Sequence, residues 1–66
     1  MTNKQVALSE KVLLTLEEAA ILFGIGINKL REMTKDENCT FVLWNGNRRL
    51  IKRQKLEEYL NNEYSI

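Results

Sequence analysis

The chain has 66 residues, of which 29% are charged, yet its formal net charge is only +1. A chain of this length forms one small domain and buries only about 60% of its unfolded surface, which leaves little room for a deep catalytic pocket. It has one cysteine and no histidine, which excludes an internal disulfide and argues against a four-ligand zinc site.

Positive charge is concentrated in residues 48–55. This segment contains three arginines, two lysines and no acidic residue, giving +5, whereas residues 56–66 contain three glutamates and no basic residue. An anionic partner that binds at residues 48–55 would interact with this local positive charge, which the low net charge of the chain conceals.

Residues 1–10 are polar and show no hydrophobic periodicity. We therefore expect a flexible N-terminal arm, followed by a single domain over residues 11–66. The N-terminal segment lacks the apolar centre of a signal peptide, and no apolar run approaches the ~18 residues of a membrane span. With its single free thiol, the chain is expected to be cytoplasmic and without a membrane partner.

The next residues predict a short strand and a first helix. Residues 12–14 (VLL) are a brief apolar run, typical of a small strand. Thr15 and Glu18 have the spacing of a capping box, in which each side chain bonds the backbone of the other residue. We expect the helix to run from Leu16 to Phe23 and to end at Gly24, because glycine adopts the left-handed C-terminal conformation without a Cβ clash.

A second helix follows after a tight glycine turn. Ile27, Leu30 and either Met33 or Thr34 share one apolar face, and residues 36–38 end the helix. Two short helices joined in this way are typical of a helix-turn-helix. The polar side chains of the second helix lie on the opposite face and its flanks, and they are Asn28, Lys29, Arg31, Glu32 and Lys35.

The segments FVLW and RRLI flank NGN, which predicts a β-hairpin because Asn and Gly tolerate positive φ. A two-residue loop would pair Trp44 with Asn47. A three-residue loop would pair Trp44 with Arg48 and place Phe41, Leu43 and Ile51 on one face. We favour the three-residue loop, since it gathers more apolar area on one side.

A third helix is predicted from Leu56, Tyr59 and Leu60, which have i, i+3, i+4 spacing, with Glu57 and Glu58 on its outer face. The predicted order is strand, helix, helix, strand, strand, helix. The fold class is therefore α+β, a small winged helix-turn-helix.

Catalysis is not supported by the sequence. The neighbouring glutamates Glu17–Glu18 and Glu57–Glu58 diverge on their helices, and no glycine-rich phosphate loop precedes a helix. We expect a protein that is not an enzyme and needs no cofactor or metal.

Two polar surfaces indicate DNA binding. The outer side chains of the second helix match base edges in a major groove. The hairpin can meet the sugar-phosphate backbone through Asn47, Arg48, Arg49 and Lys52. The alternative for each surface is ordinary solvated charge, which on a strand edge also discourages aggregation.

The segments LTLEEAAILFGIGINKLREM and WNGNRRLIKRQKLEEYL resemble the small excisionases of conjugative transposons, which are similar to MerR-type winged-helix domains. The resemblance covers residues 14–60. It implies a recombination directionality factor that binds the arms of a mobile element, bends the DNA and helps a tyrosine recombinase (integrase) excise the element. The resemblance implies that Asn28, Lys29 and Arg31 of the second helix would face the DNA major groove. It also implies that Asn47, Arg48 and Lys52 would belong to the wing, which is the predicted hairpin.

Several copies side by side on DNA would fit such a factor. MerR-like regulators usually have a further dimerisation helix, and the early end of this chain favours an accessory factor. Two alternatives stay open: a winged-helix transcriptional repressor with the same surface, and a protein-interaction module whose basic hairpin binds an acidic partner.

Overall fold

The structure, a computed structural model, describes residues 7–66. Within them, a 3-10 helix (Leu8–Glu10) precedes a short strand, β1 (Leu13–Leu14), and two helices, α1 (Leu16–Phe23) and α2 (Ile27–Thr34). Two longer strands, β2 (Val42–Asn45) and β3 (Arg48–Lys52), lead into a last helix, α3 (Arg53–Asn61). This small α+β arrangement fits a winged helix-turn-helix domain.

The 3-10 helix was not predicted from the sequence. Leu8 is half-buried and packs against the core of the domain. The prediction of a flexible arm over residues 1–10 falls largely on residues 1–6, which lie outside the described residues.

Helix α1 has the predicted bounds and caps. The Thr15 hydroxyl accepts a hydrogen bond from the Glu18 backbone N–H at 3.1 Å, and the Glu18 carboxylate accepts one from the Thr15 N–H at 3.0 Å. Gly24 has φ +68°, which is the expected left-handed cap. The capping box and the glycine together set both ends of the helix.

Helix α2 buries the predicted apolar face. Leu30 and Thr34 are buried, and Ile27 and Met33 are half-buried. The hydroxyl of Thr34 donates to the carbonyl oxygen of Arg31 at 2.9 Å, which satisfies a polar group that would otherwise be costly to bury. The helix therefore presents its opposite side to solvent.

The predicted hairpin register is wrong. The loop consists of Gly46 and Asn47, so that Asn45 pairs with Arg48 and Trp44 pairs with Arg49. Of the two loop residues, only Gly46 takes positive φ, at +62°, and glycine at the first loop position is typical of a type II′ turn. Both loops considered from the sequence placed Asn45 in the turn, whereas the structure places it in β2.

The new register also changes which residues share a face. Directly paired residues of an antiparallel ladder point to the same side. Ile51 pairs with Val42, and Leu43 pairs with Leu50, so Leu43 and Ile51 lie on opposite faces and not together as predicted. Because side chains alternate along a strand, the two faces of the hairpin can be assigned along its whole length.

Strand β3 is the centre of the sheet, whose order is β1-β3-β2. Leu14 of β1 pairs with Ile51 of β3, and both are fully buried. They join side chains from both helices of the helix-turn-helix, from α3 and from the start of the hairpin. This core consists of Leu14, Ala19, Leu30, Phe41, Ile51 and Leu56.

Helix α3 closes the core as predicted. Leu56 is fully buried, and Tyr59 and Leu60 pack beside it. The rings of Tyr59 and Phe41 meet at a centroid distance of 5.3 Å with a tilt of 54°, an arrangement that aromatic pairs favour. This contact fixes α3 against the start of the hairpin.

Candidate nucleic-acid interface

The outer face of α2 combines two locally paired sets of polar side chains. Arg31 Nη1 donates to Asn28 Oδ1 at 2.7 Å, and Lys35 Nζ lies 3.3 Å from Glu32 Oε2. All of these except Arg31 are exposed. Each pair lies at i, i+3, where side chains on one helix face meet. The pairs restrict the side chains on a surface that is otherwise open to solvent.

Lys29 differs from its neighbours on α2. It is exposed and forms no ion pair within residues 7–66. Its ammonium group keeps all three donors available for an anionic partner. The five predicted residues thus lie on α2 and its C-cap, Lys35. Among them, Lys29 and Arg31 carry positive charges that no acidic side chain within residues 7–66 compensates, and only Lys29 also lacks a hydrogen-bond partner there.

The hairpin of β2 and β3, which we call the wing, has an outer face formed by Leu43, Asn45, Arg48, Leu50 and Lys52. Arg48 is exposed beside the turn, and Asn47 is exposed within it. Lys52 is half-buried at the other end of the strand, opposite Leu13 of β1. Arg48 and Lys52 make no ion pair within the described residues, which leaves two positive charges along one face.

The inner face of the wing contains Val42, Trp44, Arg49 and Ile51. Arg49 lies over the ring of Trp44, with its guanidinium carbon 4.8 Å from the ring centroid, which is a cation–π contact. Arg49 Nη1 is closed off from solvent and has no hydrogen-bond partner within residues 7–66. The structure therefore places Arg49 on the opposite face from Arg48 and Lys52.

Two comparisons with known proteins match most of the chain. Residues 11–63 match a family of unknown function, DUF6462. The excisionase from transposon Tn916 of Streptococcus agalactiae serotype V is 37% identical over 62 residues, which are 92% of this chain and 92% of that protein. This chain belongs to the family of that excisionase. No solved structure gives a significant match to this chain.

In the present chain, which is related to that excisionase, two residues of the basic segment 48–55 form ion pairs with acidic residues of α3. The Arg53 side chain is only 17% exposed, and its Nη1 lies 3.7 Å from Glu57 Oε1. Lys55 Nζ lies 3.8 Å from Glu58 Oε1 on the same helix. Two of the five positive charges in residues 48–55 are therefore compensated by acids of α3.

Sequence reasoning did not single out Trp44. It is 51% exposed in the structure. Alternation along β2 places Val42 and Trp44 on one face in any register, but the cross-strand partner of Trp44 depends on the position of the loop. Both loops considered from the sequence therefore missed the pairing of Trp44 with Arg49.

Residues 7–66 contain no group of three side chains that could hold a metal ion. None of the helices formed by these residues is both long enough and apolar enough to cross a bilayer.

Proposed function

We propose that this protein is a DNA-binding and DNA-bending accessory factor that promotes excision of a mobile element by a tyrosine recombinase. The observation that carries the proposal is the 37% identity with the Tn916 excisionase over 92% of both chains. The protein would have no catalytic role and would act in the cytoplasm on the double-stranded ends of the element. The fold would belong to the MerR-like winged-helix group.

Helix α2 would read sequence. Its outer face offers Asn28, Lys29 and Arg31 near the end that enters a major groove, where amide and guanidinium groups match base edges. Glu32 and Lys35 extend this face by one turn. The hydrogen bond from Arg31 to Asn28 supports this role, because a side chain that is already held loses less freedom on binding.

The wing would hold the backbone beside that groove. Asn47, Arg48 and Lys52 supply one hydrogen-bonding group and two charges, which suit phosphate and sugar contacts and carry no base information. Helix α3, whose two basic and two acidic side chains pair with one another, would face away from the DNA, toward the recombinase or a neighbouring copy on the same site.

The unpaired charges set a quantitative expectation. Arg31 forms no ion pair within residues 7–66 but is assigned to a base edge, which leaves Lys29, Arg48 and Lys52 as the unpaired charges available for phosphates. If each meets one phosphate, the logarithm of the binding constant should fall with the logarithm of salt concentration with a slope of about −3. This is a weak salt dependence for a DNA-binding protein, and it agrees with a net charge of only +1.

A gel-shift series with duplexes from the element's ends, compared with shuffled duplexes, tests binding and selectivity. An excision assay with the element's recombinase, with and without this protein, tests the accessory role. Stimulated excision supports the proposal. Selective binding without stimulation would favour a transcriptional repressor instead, and absence of any shift at physiological salt would favour a protein-interaction module.

A further inference from the structure

A groove separates the end of α2 from the inner face of the wing. On one side it is lined by Thr34, Lys35, Asp36 and Glu37, and on the other by Trp44 and Arg49. Trp44 is the one large aromatic side chain of the groove, and half of its surface is exposed. A tryptophan at such a position is a frequent energetic centre of an interface.

Arg49 lies in the groove against Trp44, and one of its guanidinium nitrogens is closed off. The guanidinium group lies 4.8 Å from the ring centroid, and Nη1 is sealed from solvent. A phosphate oxygen cannot reach Nη1 in this arrangement. The cross-strand pairing of Trp44 with Arg49 places the guanidinium group beside the indole, and half of the side chain stays exposed.

The charges of the groove do not favour a phosphate. Lys35 is already paired with Glu32, and Asp36 and Glu37 are acidic. The two positive and two negative side chains that line the groove therefore cancel. What the groove offers to a nucleic acid is the apolar surface of Trp44.

If α2 occupies a major groove and the wing meets the adjacent minor groove, one sugar-phosphate strand must pass between them, because each pair of neighbouring grooves is separated by one strand. Resting on the DNA binding proposed above, we propose that Trp44 packs against the deoxyribose groups of this strand. Arg49 is the positioning residue that holds the indole for this contact. The contact is apolar, whereas Arg48 and Lys52 make ionic contacts.

Trp44 is the only tryptophan of the chain, so fluorescence excited at wavelengths beyond the tyrosine absorption band reports on it alone and not on the two tyrosines. Titration of the full chain with an element-end duplex should change its emission with the same midpoint as the gel shift. Saturating DNA should also lower the acrylamide quenching constant about twofold or more, because the exposed half of the ring becomes covered. Acrylamide is neutral, so the field of the DNA does not repel it.

Substitutions separate an apolar contact from an ionic one. Trp44→Ala should weaken binding at least about fivefold, the lower end of aromatic stacking on nucleic acid, and leave the salt slope unchanged. Trp44→Phe should retain most of the affinity. Ile21→Ala, which truncates a 75% exposed side chain on α1, is the matched control and should bind like the parent.

Arg49→Gln tests the positioning role. In the free protein, Trp44 should become more accessible to acrylamide, and the affinity for DNA should fall without a change in salt slope. A salt slope reduced by about 1 would instead make Arg49 a phosphate contact and overturn this part of the proposal.

DNA binding with unchanged tryptophan emission and quenching would overturn the proposal and leave the DNA-binding function intact. Equal affinities of the parent and a folded Trp44→Ala variant would do the same. If the parent binds none of the duplexes, the proposed function itself fails. Should Trp44→Ala not fold, the fluorescence of the parent decides alone.

Discussion

Arg53 Nε donates a hydrogen bond to the backbone carbonyl oxygen of Lys11, at a distance of 2.6 Å and across 42 positions of sequence. The backbone N–H of Arg53 also donates to the carbonyl oxygen of Val12, at 3.1 Å. These two bonds join the start of α3 to the segment before β1. Arg53, which belongs to the basic segment 48–55, therefore connects α3 to the N-terminal part of the domain.

Replacing Arg53 with Met should lower the free energy of unfolding by about 1–3 kcal/mol, because the Lys11 carbonyl loses a charged donor. The salt slope of DNA binding should not change. Chemical denaturation and a salt series measure the two effects. Lys55→Met is the matched control, since its pair with Glu58 is exposed and contributes less than about 1 kcal/mol. Equal stability of the two variants would contradict the structural role of Arg53.

The double change Arg48→Gln and Lys52→Gln should reduce the magnitude of the salt slope by about 2, because each side chain would no longer displace a counterion. Affinity should fall alike for specific and random DNA, since phosphates carry no base identity. Binding isotherms at several salt concentrations provide the measurement. An unchanged slope in a folded variant would reduce the outer face of the wing to solvated charge.

Replacing Arg31 with Ala should cost about 1–3 kcal/mol of binding at the specific site and less on random DNA, if Arg31 contacts a guanine edge. Because Arg31 is held by Asn28, changing both residues should cost less than the sum of the single changes. Gel shifts of the parent, the two single variants and the double variant measure the coupling between Arg31 and Asn28. Equal losses on specific and random DNA would make Arg31 a phosphate contact.

Replacing Leu56 with Ala should lower the free energy of unfolding by roughly 2–5 kcal/mol, because its side chain is fully buried. In so small a domain this approaches the whole stability. Thermal melting followed by circular dichroism measures the change. The exposed control Ile21→Ala should remain within about 0.5 kcal/mol of the parent. A Leu56→Ala variant that melts like the parent would show that α3 does not close the core.

The pKa of Glu18 is lowered by its hydrogen bond from Lys11 at 2.6 Å, and further by that from the Thr15 backbone. A carboxyl with a lowered pKa in the folded state contributes stability that is present above its unfolded pKa of about 4.5 and is lost as pH falls through the lower folded value.

Glu18→Gln should therefore be less stable than the parent at neutral pH, and the gap should close on acidification below that unfolded pKa. Glutamine still caps the helix, so the comparison isolates the charge. Chemical denaturation of both proteins at a series of pH values measures the difference in their free energies of unfolding. A gap that is constant with pH would show that the ion pair contributes nothing to stability.

Local sequence signals were enough to predict the helices. The capping box of Thr15 and Glu18 and the stop at Gly24 involve neighbouring residues, and their geometry is the same wherever they occur. The apolar spacing of α2 likewise indicated its buried face before any partner was known. The resemblance to excisionases agreed with the comparison over most of the chain.

The hairpin register and the separate roles of the basic side chains were decided only by the tertiary structure. A shift of one residue in loop position changes every cross-strand pair, and the Asn-Gly-Asn segment allows several loops from sequence alone. Arg48, Arg49 and Arg53 look equivalent in a charge count. In the fold, one is exposed, one lies over Trp44 and one bonds to Lys11. The physical reason is that helix caps depend on residues within one turn, whereas the environment of a charged side chain is set by partners from distant parts of the chain.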